Sequence, residues 1–183
     1  MRNSTSRRHF MRSSAIALTG LAVLPPAVTS AFTASESPYD GYNPYTEAKK
    51  DLRTSIFNTN TITVKGTIYE KDGVTPLRDG LVEVWHLSPN SSKYRHRTKF
   101  LTDVEGNYEF LTDFPNKEKG KCSRIYFKLS NSERTHFTEL ILTKSGGHIT
   151  GEHWEKNNQL GDKLFPRQLS FMDNTTIQFN LSI

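Results

Sequence analysis

Phenols and imidazoles are the side chains in this sequence whose spacing could support chemistry. Tyr94, Arg95 and His96 are consecutive, and His86 closes an apolar stretch shortly before them. Such a group could line a pocket, and His86 could act as a ligand or general base. The plainer readings are a polar turn at Tyr94–His96 and a structural histidine at a strand end. Arg124, Tyr126 and Lys128 alternate with Ile125, Phe127 and Leu129. A strand there would project a guanidinium, a phenol and an ammonium from one face. His148, Glu152 and His153 are also metal-ligating types, but zinc motifs converge their ligands on a helix. Gly146, Gly147 and Gly151 disfavour a helix in that stretch. Cys122, the single cysteine, cannot form an internal disulfide and has no evident Cys-His-Asn constellation. Trp85 and Trp154 could stack on an aromatic or sugar ligand, although Trp85 at a strand end reads first as a packing residue. The Lys117–Lys121 run, with Glu118 inside it, reads as a solvated turn. No phosphate-cradling glycine loop, serine-hydrolase elbow or nucleic-acid motif is present.

The elements that would position these residues are short strands. In Thr61–Tyr69, Ile62, Val64, Gly66 and Ile68 fall on one face and Thr63, Lys65 and Thr67 on the other. Leu81–Leu87, Tyr108–Thr112, Cys122–Ser130, His136–Thr143 and Thr175–Ile183 show the same period of two. Asp72-Gly73, Asp79-Gly80 and Glu105-Gly106-Asn107 supply turns between them. This pattern predicts an all-β fold, an antiparallel β-sandwich of the immunoglobulin/prealbumin kind, over residues 61–183. Residues 32–60, rich in Ser, Thr, Pro, Tyr and Asn, read as an N-terminal arm with a short helix at Tyr45–Arg53. Thr143–Ser170 reads as an irregular loop.

Residues 1–31 read as an address label. Ser6-Arg7-Arg8-His9-Phe10 precedes an apolar run from Ala15 to Val28, and small residues follow at Thr29, Ser30 and Ala31. That order is a signal peptide, and the paired arginines mark the twin-arginine type. Pro25 and Pro26 keep the run shorter than the roughly twenty residues a membrane span needs. The expected location is therefore periplasmic or extracellular, with no membrane span in the mature chain. The label also carries four arginines and no acid. Without it, Lys+Arg falls from 24 to 20 against 19 acidic residues, and the net charge from +5 to +1. The basic balance thus gives no support to nucleic-acid binding.

Three segments form a connected signature: Gly80-Leu81-Val82-Glu83-Val84-Trp85-His86, Lys93-Tyr94-Arg95-His96, and Leu101-Thr102-Asp103-Val104-Glu105-Gly106-Asn107-Tyr108-Glu109-Phe110. It resembles the intradiol ring-cleavage dioxygenases (protocatechuate/catechol dioxygenase-like), Fe(III) enzymes that open catechol-type rings. The likeness runs from Ile62 to Thr143, with a weaker tail at Phe179–Ile183. Transthyretin-like and carboxypeptidase-regulatory-like sandwiches share the Thr102–Phe110 part, which leaves a structural domain as an alternative. The resemblance implies four iron ligands, two tyrosines and two histidines, because phenolates suit a hard trivalent ion. Tyr94 falls at the first tyrosine position. Arg124 and Tyr126 fall at the two histidine positions, and Lys121 at a family arginine, where it keeps the charge but not the guanidinium fork. Phe114–Gly120, where the second tyrosine belongs, contains none. A guanidinium cannot donate a lone pair to iron and repels it.

The resemblance therefore implies a divergent member with a degenerate site, Fe(III) being absent or weakly bound, and the address label implies that it is exported. Such a domain would serve as a binding or interaction module for a small aromatic or glycan ligand, and residues 32–60 could pair two copies. The alternative is a working dioxygenase whose Tyr94 and Tyr126 recruit a histidine from His86, His96 or the Gly146–Trp154 loop.

Overall fold

The structure is a computed structural model in which residues 37–171 and 174–183 are described. The address label at 1–31 lies outside the described residues.

Ten strands and one short helix make up the described chain. β1 (Thr61–Tyr69) is the centre of the first sheet. β4 (Asn107–Asp113) runs antiparallel along one side of it. β9 (Asn174–Gln178) and β10 (Leu181–Ser182) lie end to end along the other side, both parallel to β1, and β8 (Arg167–Phe171) flanks β9. This sheet is mixed, which corrects the expectation of purely antiparallel pairing. The second sheet is antiparallel, in the order β3 (His96–Leu101), β2 (Leu81–His86), β5 (Ser123–Ser130), β6 (Thr135–Thr143), β7 (Gly146–His148).

The inward faces of both sheets meet in one core. Ile62, Val64, Phe110 and Ile177 come from the first sheet, and Val82, Val84, Ile125, Phe127 and Leu140 from the second. Phe127 is at its centre, with ring centroids 6.3 Å from Phe110 and 5.4 Å from Phe179. The period-two pattern of β1 survives as strict alternation between buried and half-buried residues.

Two stretches differ from expectation. Tyr45–Arg53 is not helical. Its backbone runs beside β4, with Leu111 N–H donating to Lys50 O and Leu52 N–H to Leu111 O, each 2.8 Å. Thr143–Ser170 is not an irregular loop. It holds β7, helix α1 (Gly151–Asn157), a 3-10 turn (Asn158–Lys163) and most of β8. Gly151 starts α1 instead of interrupting it, and the Thr150 hydroxyl caps the helix by accepting from His153 N–H at 3.1 Å.

Candidate functional site

Alternation along the second sheet sorts the candidate residues onto opposite faces. On β5, Ile125, Phe127 and Leu129 point into the core, so Arg124, Tyr126 and Lys128 point outward. On β2 the outward residues are Glu83 and Trp85, and the register places Trp85 opposite Tyr126 and Glu83 opposite Lys128. The outer face of the second sheet is therefore where the polar candidates gather.

The N-terminal arm lies across that face. The Tyr39 ring stacks on Tyr126 with centroids 4.7 Å apart. Trp85 Nε1–H donates to Asp40 O at 2.9 Å. Gly41 packs against Tyr94 so closely that a Cβ there would come within 2.2 Å of the ring, and its φ of +78° independently favours glycine. Tyr42 accepts from Lys128 Nζ at 2.6 Å and donates to Glu83 Oε1 at 3.1 Å. Residues 39–42 are thus engaged with their own chain.

At the centre of the site is Glu118. Tyr94 Oη donates to Glu118 Oε1 at 2.9 Å, Tyr126 Oη donates to the same oxygen, and Lys121 Nζ holds Oε2 at 2.7 Å. Burial would raise the Glu118 carboxyl, but Lys121, Tyr126 and Tyr94 outweigh it and hold the group below the ordinary value. Both phenols move the other way. Burial, followed by the adjacent Glu118 carboxylate, pushes Tyr94 and Tyr126 well above the usual phenol range. Tyr39 is pushed up to about 12 by burial and by the charges of Glu139 and Glu152, against Arg124. All three phenols are protonated at neutral pH. Arg124 is paired with Glu139 on β6, while its Nε is buried without a partner. The reading of Lys117–Lys121 as a solvated turn therefore misses its central residue, since the Glu118 side chain is only 16% exposed.

His86 and His96 do not join this site. They lie side by side on the core face of the same sheet, ring centroids 4.9 Å apart. The Leu87 carbonyl can only accept, so His86 Nδ1 carries the proton and donates to it at 2.8 Å. His86 Nε2 then accepts from the Thr112 hydroxyl at 2.7 Å. His96 Nε2–H donates to Asp113 Oδ2 at 3.0 Å, and Thr54 and Asn58 of the arm bond to the same carboxylate. Burial would raise Asp113, and these donors hold it below its ordinary value. The expectation that His86 or His96 completes a set with Tyr94 and Tyr126 is corrected by strand geometry: both imidazoles project from the opposite face. The Gly146–Trp154 loop supplies no substitute. His148 bonds to Thr143 at 2.9 Å, Glu152 pairs with Lys156, and His153 turns inward to Thr138 at 2.7 Å.

Ferric iron does not fit this donor set. The two phenols donate to a carboxylate, a guanidinium stands at one histidine position, and the nearby imidazoles face the other way. Among the described residues, no group of three or more His, Cys, Asp and Glu side chains could hold a metal ion. No helix among them is long and apolar enough to cross a membrane.

The buried imidazoles predict a pH dependence. Burial lowers His86 from 6.5 to about 3, and His136 and His153 from 6.5 to about 4. Between those values and 6.5 the unfolded chain takes up protons that the folded chain does not. Stability is therefore constant above pH 6.5 in these groups and falls as pH drops towards 4. Asp113 and Glu118, both depressed, add their loss at more acidic pH. Thermal melts from pH 7 to 4 should show a midpoint that declines steadily below pH 6.5. A midpoint unchanged down to pH 4.5 would mean that these imidazoles are charged within the fold.

No family model matches the chain, and no curated protein matches it. Solved structures do. The dioxygenase domain of a dioxygenase carbohydrate-binding protein fusion from the cellulolytic bacterium Streptomyces sp. SirexAA-E aligns with a TM-score of 0.60 at 18% identity, covering 81% of this chain and 94% of that one. An intradiol ring-cleavage dioxygenase from Tetranychus urticae aligns with a TM-score of 0.59 at 16% identity, over 81% and 91%. The 3-chlorocatechol 1,2-dioxygenase of Rhodococcus opacus 1CP aligns with a TM-score of 0.53 at 15% identity, over 78% and 68%. At such identities the likeness is one of fold, and this chain has the fold of the intradiol dioxygenases.

Proposed function

We propose that the chain is a divergent intradiol-dioxygenase-like β-sandwich, exported by its twin-arginine label, that acts as a binding or interaction module and not as a ring-cleaving oxygenase. One observation carries this reading: the two tyrosines at family ligand positions, Tyr94 and Tyr126, both donate to Glu118. A phenol that donates its proton to a carboxylate is not the phenolate a ferric ion requires. Arg124 adds a fixed cation to the same face.

The ligand class proposed is aromatic or glycan. Tyr39, Tyr42, Trp85, Tyr94 and Tyr126 form a contiguous aromatic group on the outer face, and Trp154 on α1 is half exposed. Pairing of two copies through residues 32–60 would use the arm's outward side, where Ile56 and Phe57 are exposed.

Iron reconstitution tests the proposal. Protein incubated with Fe(III) and desalted should remain colourless, without the visible charge-transfer band of tyrosinate-bound iron, and should consume no oxygen with catechol. A coloured protein holding one iron per chain would overturn it.

A further inference from the structure

Glu118 occupies a receptor built from separate parts of the chain. Tyr94 comes from the segment before β3, Tyr126 from β5, and Lys121 from the turn that also bears Glu118. Both oxygens of the carboxylate are used: the phenols meet on Oε1 and the ammonium holds Oε2. We infer that Tyr94, Tyr126 and Lys121 form a carboxylate-binding site, which the chain fills with its own Glu118, and that the site takes a small carboxylate when Glu118 leaves.

Polarity supports an anion over a cation. Without Glu118, two part-buried hydroxyls would have lost the acceptor they share, beside Lys121 and beside an Arg124 whose Nε already lacks a partner. Arg124 is balanced by Glu139, so Lys121 is the cation left uncompensated beside the neutral phenols, and it attracts an anion. A planar group with two oxygens matches the donors as Glu118 does. The turn that carries the occupant borders solvent. Lys119 and Gly120 of its turn are exposed, and nothing lies within 4 Å of a Cβ built at Gly120. A tethered carboxylate excludes a free one through its high effective concentration, not through better contacts.

This inference deepens the proposed function and rests on its reading that iron is not held here. The test uses the full chain carrying Glu118→Ala, titrated with sodium acetate against sodium chloride at equal ionic strength. The variant should melt below the unchanged protein, and acetate alone should restore the midpoint saturably. The ring resonances of Tyr94 and Tyr126 should shift with the same half-saturation, at an acetate concentration about tenfold or more below that needed in the unchanged protein. Acetate and chloride acting alike on the variant would overturn the carboxylate site. If Glu118→Ala does not fold, Glu118→Gln serves instead, because its neutral amide is a weaker occupant. Acetate should then shift the two tyrosines at lower concentration than in the unchanged protein, and equal concentrations would overturn the inference. The iron experiment separates the two proposals. A coloured ferric protein defeats the metal-free reading, whereas a colourless protein whose Glu118→Ala form ignores acetate defeats only the carboxylate site.

Discussion

Lys128→Ala is expected to destabilise the protein by about 3–5 kcal/mol, because it leaves the Glu83 carboxylate buried and without its cation. For a chain of this size that lowers the thermal midpoint by roughly 6–20 °C. Lys128 Nζ lies 2.9 Å from Glu83 Oε2, with side-chain exposures of 12% and 7%. This is not a solvated surface pair of small value. The ammonium also donates to Tyr42 Oη and sits 4.8 Å from the centre of that ring, so it clasps the arm to the outer face. Burial would lower the Lys128 ammonium, yet Tyr42 and Glu83 hold it above its ordinary value. Removing both charges together, as Glu83→Gln with Lys128→Met, should recover much of the loss, since the penalty comes from the orphaned charge. Paired denaturation curves of the single and double variants check this. A loss below about 1 kcal/mol for Lys128→Ala would show that water reaches the pair as it does in exposed ones.

A second large effect is expected from the smallest possible side chain. Gly66→Ala should cost at least about 3 kcal/mol, equivalent to roughly 6–12 °C in thermal midpoint. A Cβ on Gly66 would come within 1.9 Å of the Phe179 carbonyl oxygen and 2.7 Å of its carbon. The obstacle is backbone, so no rotamer change relieves it. The carbonyl is also held in place, accepting from the Tyr108 hydroxyl at 2.6 Å, while Phe179 N–H donates to Lys65 O at 2.8 Å. This is the point where pairing between β1 and the last strands lapses, between Gln178 and Leu181. Asn180 spans the gap by accepting from Thr67 N–H at 3.0 Å. Moving Phe179 would disturb its ring contacts with Phe127 and His153 in the core. A melt within about 2 °C of the unchanged protein would show that the last strand can shift without cost.

Much of the fold was legible in alternation alone. The faces of Thr61–Tyr69 and of Ser123–Ser130 follow from side-chain period; burial reproduces the first, whereas on the second the outward Tyr126 is itself buried, stacked against Tyr39 of the arm. His96–Leu101 was not recognised as a strand because His96, Thr98 and Lys99 are polar. Its inward His96 and Thr98 are buried through hydrogen bonds, as with Thr98 and Lys49, and only Phe100 packs against the apolar core. The region after Thr143 was misread because its glycines were weighed as helix breakers, whereas Gly151 stands at the first position of α1, where a missing side chain costs little. The single run Thr175–Ile183 is two strands. Its alternation continues through the bend, so period could not reveal the break at Phe179.

By itself the sequence determined that Arg124, Tyr126 and Lys128 share a face away from the apolar one, and that Arg124 and Tyr126 stand where the resemblance requires imidazoles. These are local facts, decided by residue identity and a period of two. Tertiary structure alone decided what meets them. It placed Glu118 between two phenols, 24 and 8 residues away in sequence, laid the arm over Trp85 and Tyr126, and turned His86 and His96 to the far side of the sheet. The physical reason is that convergence depends on strand register and on the paths of connecting segments, and neither is encoded in the alternation of a single strand.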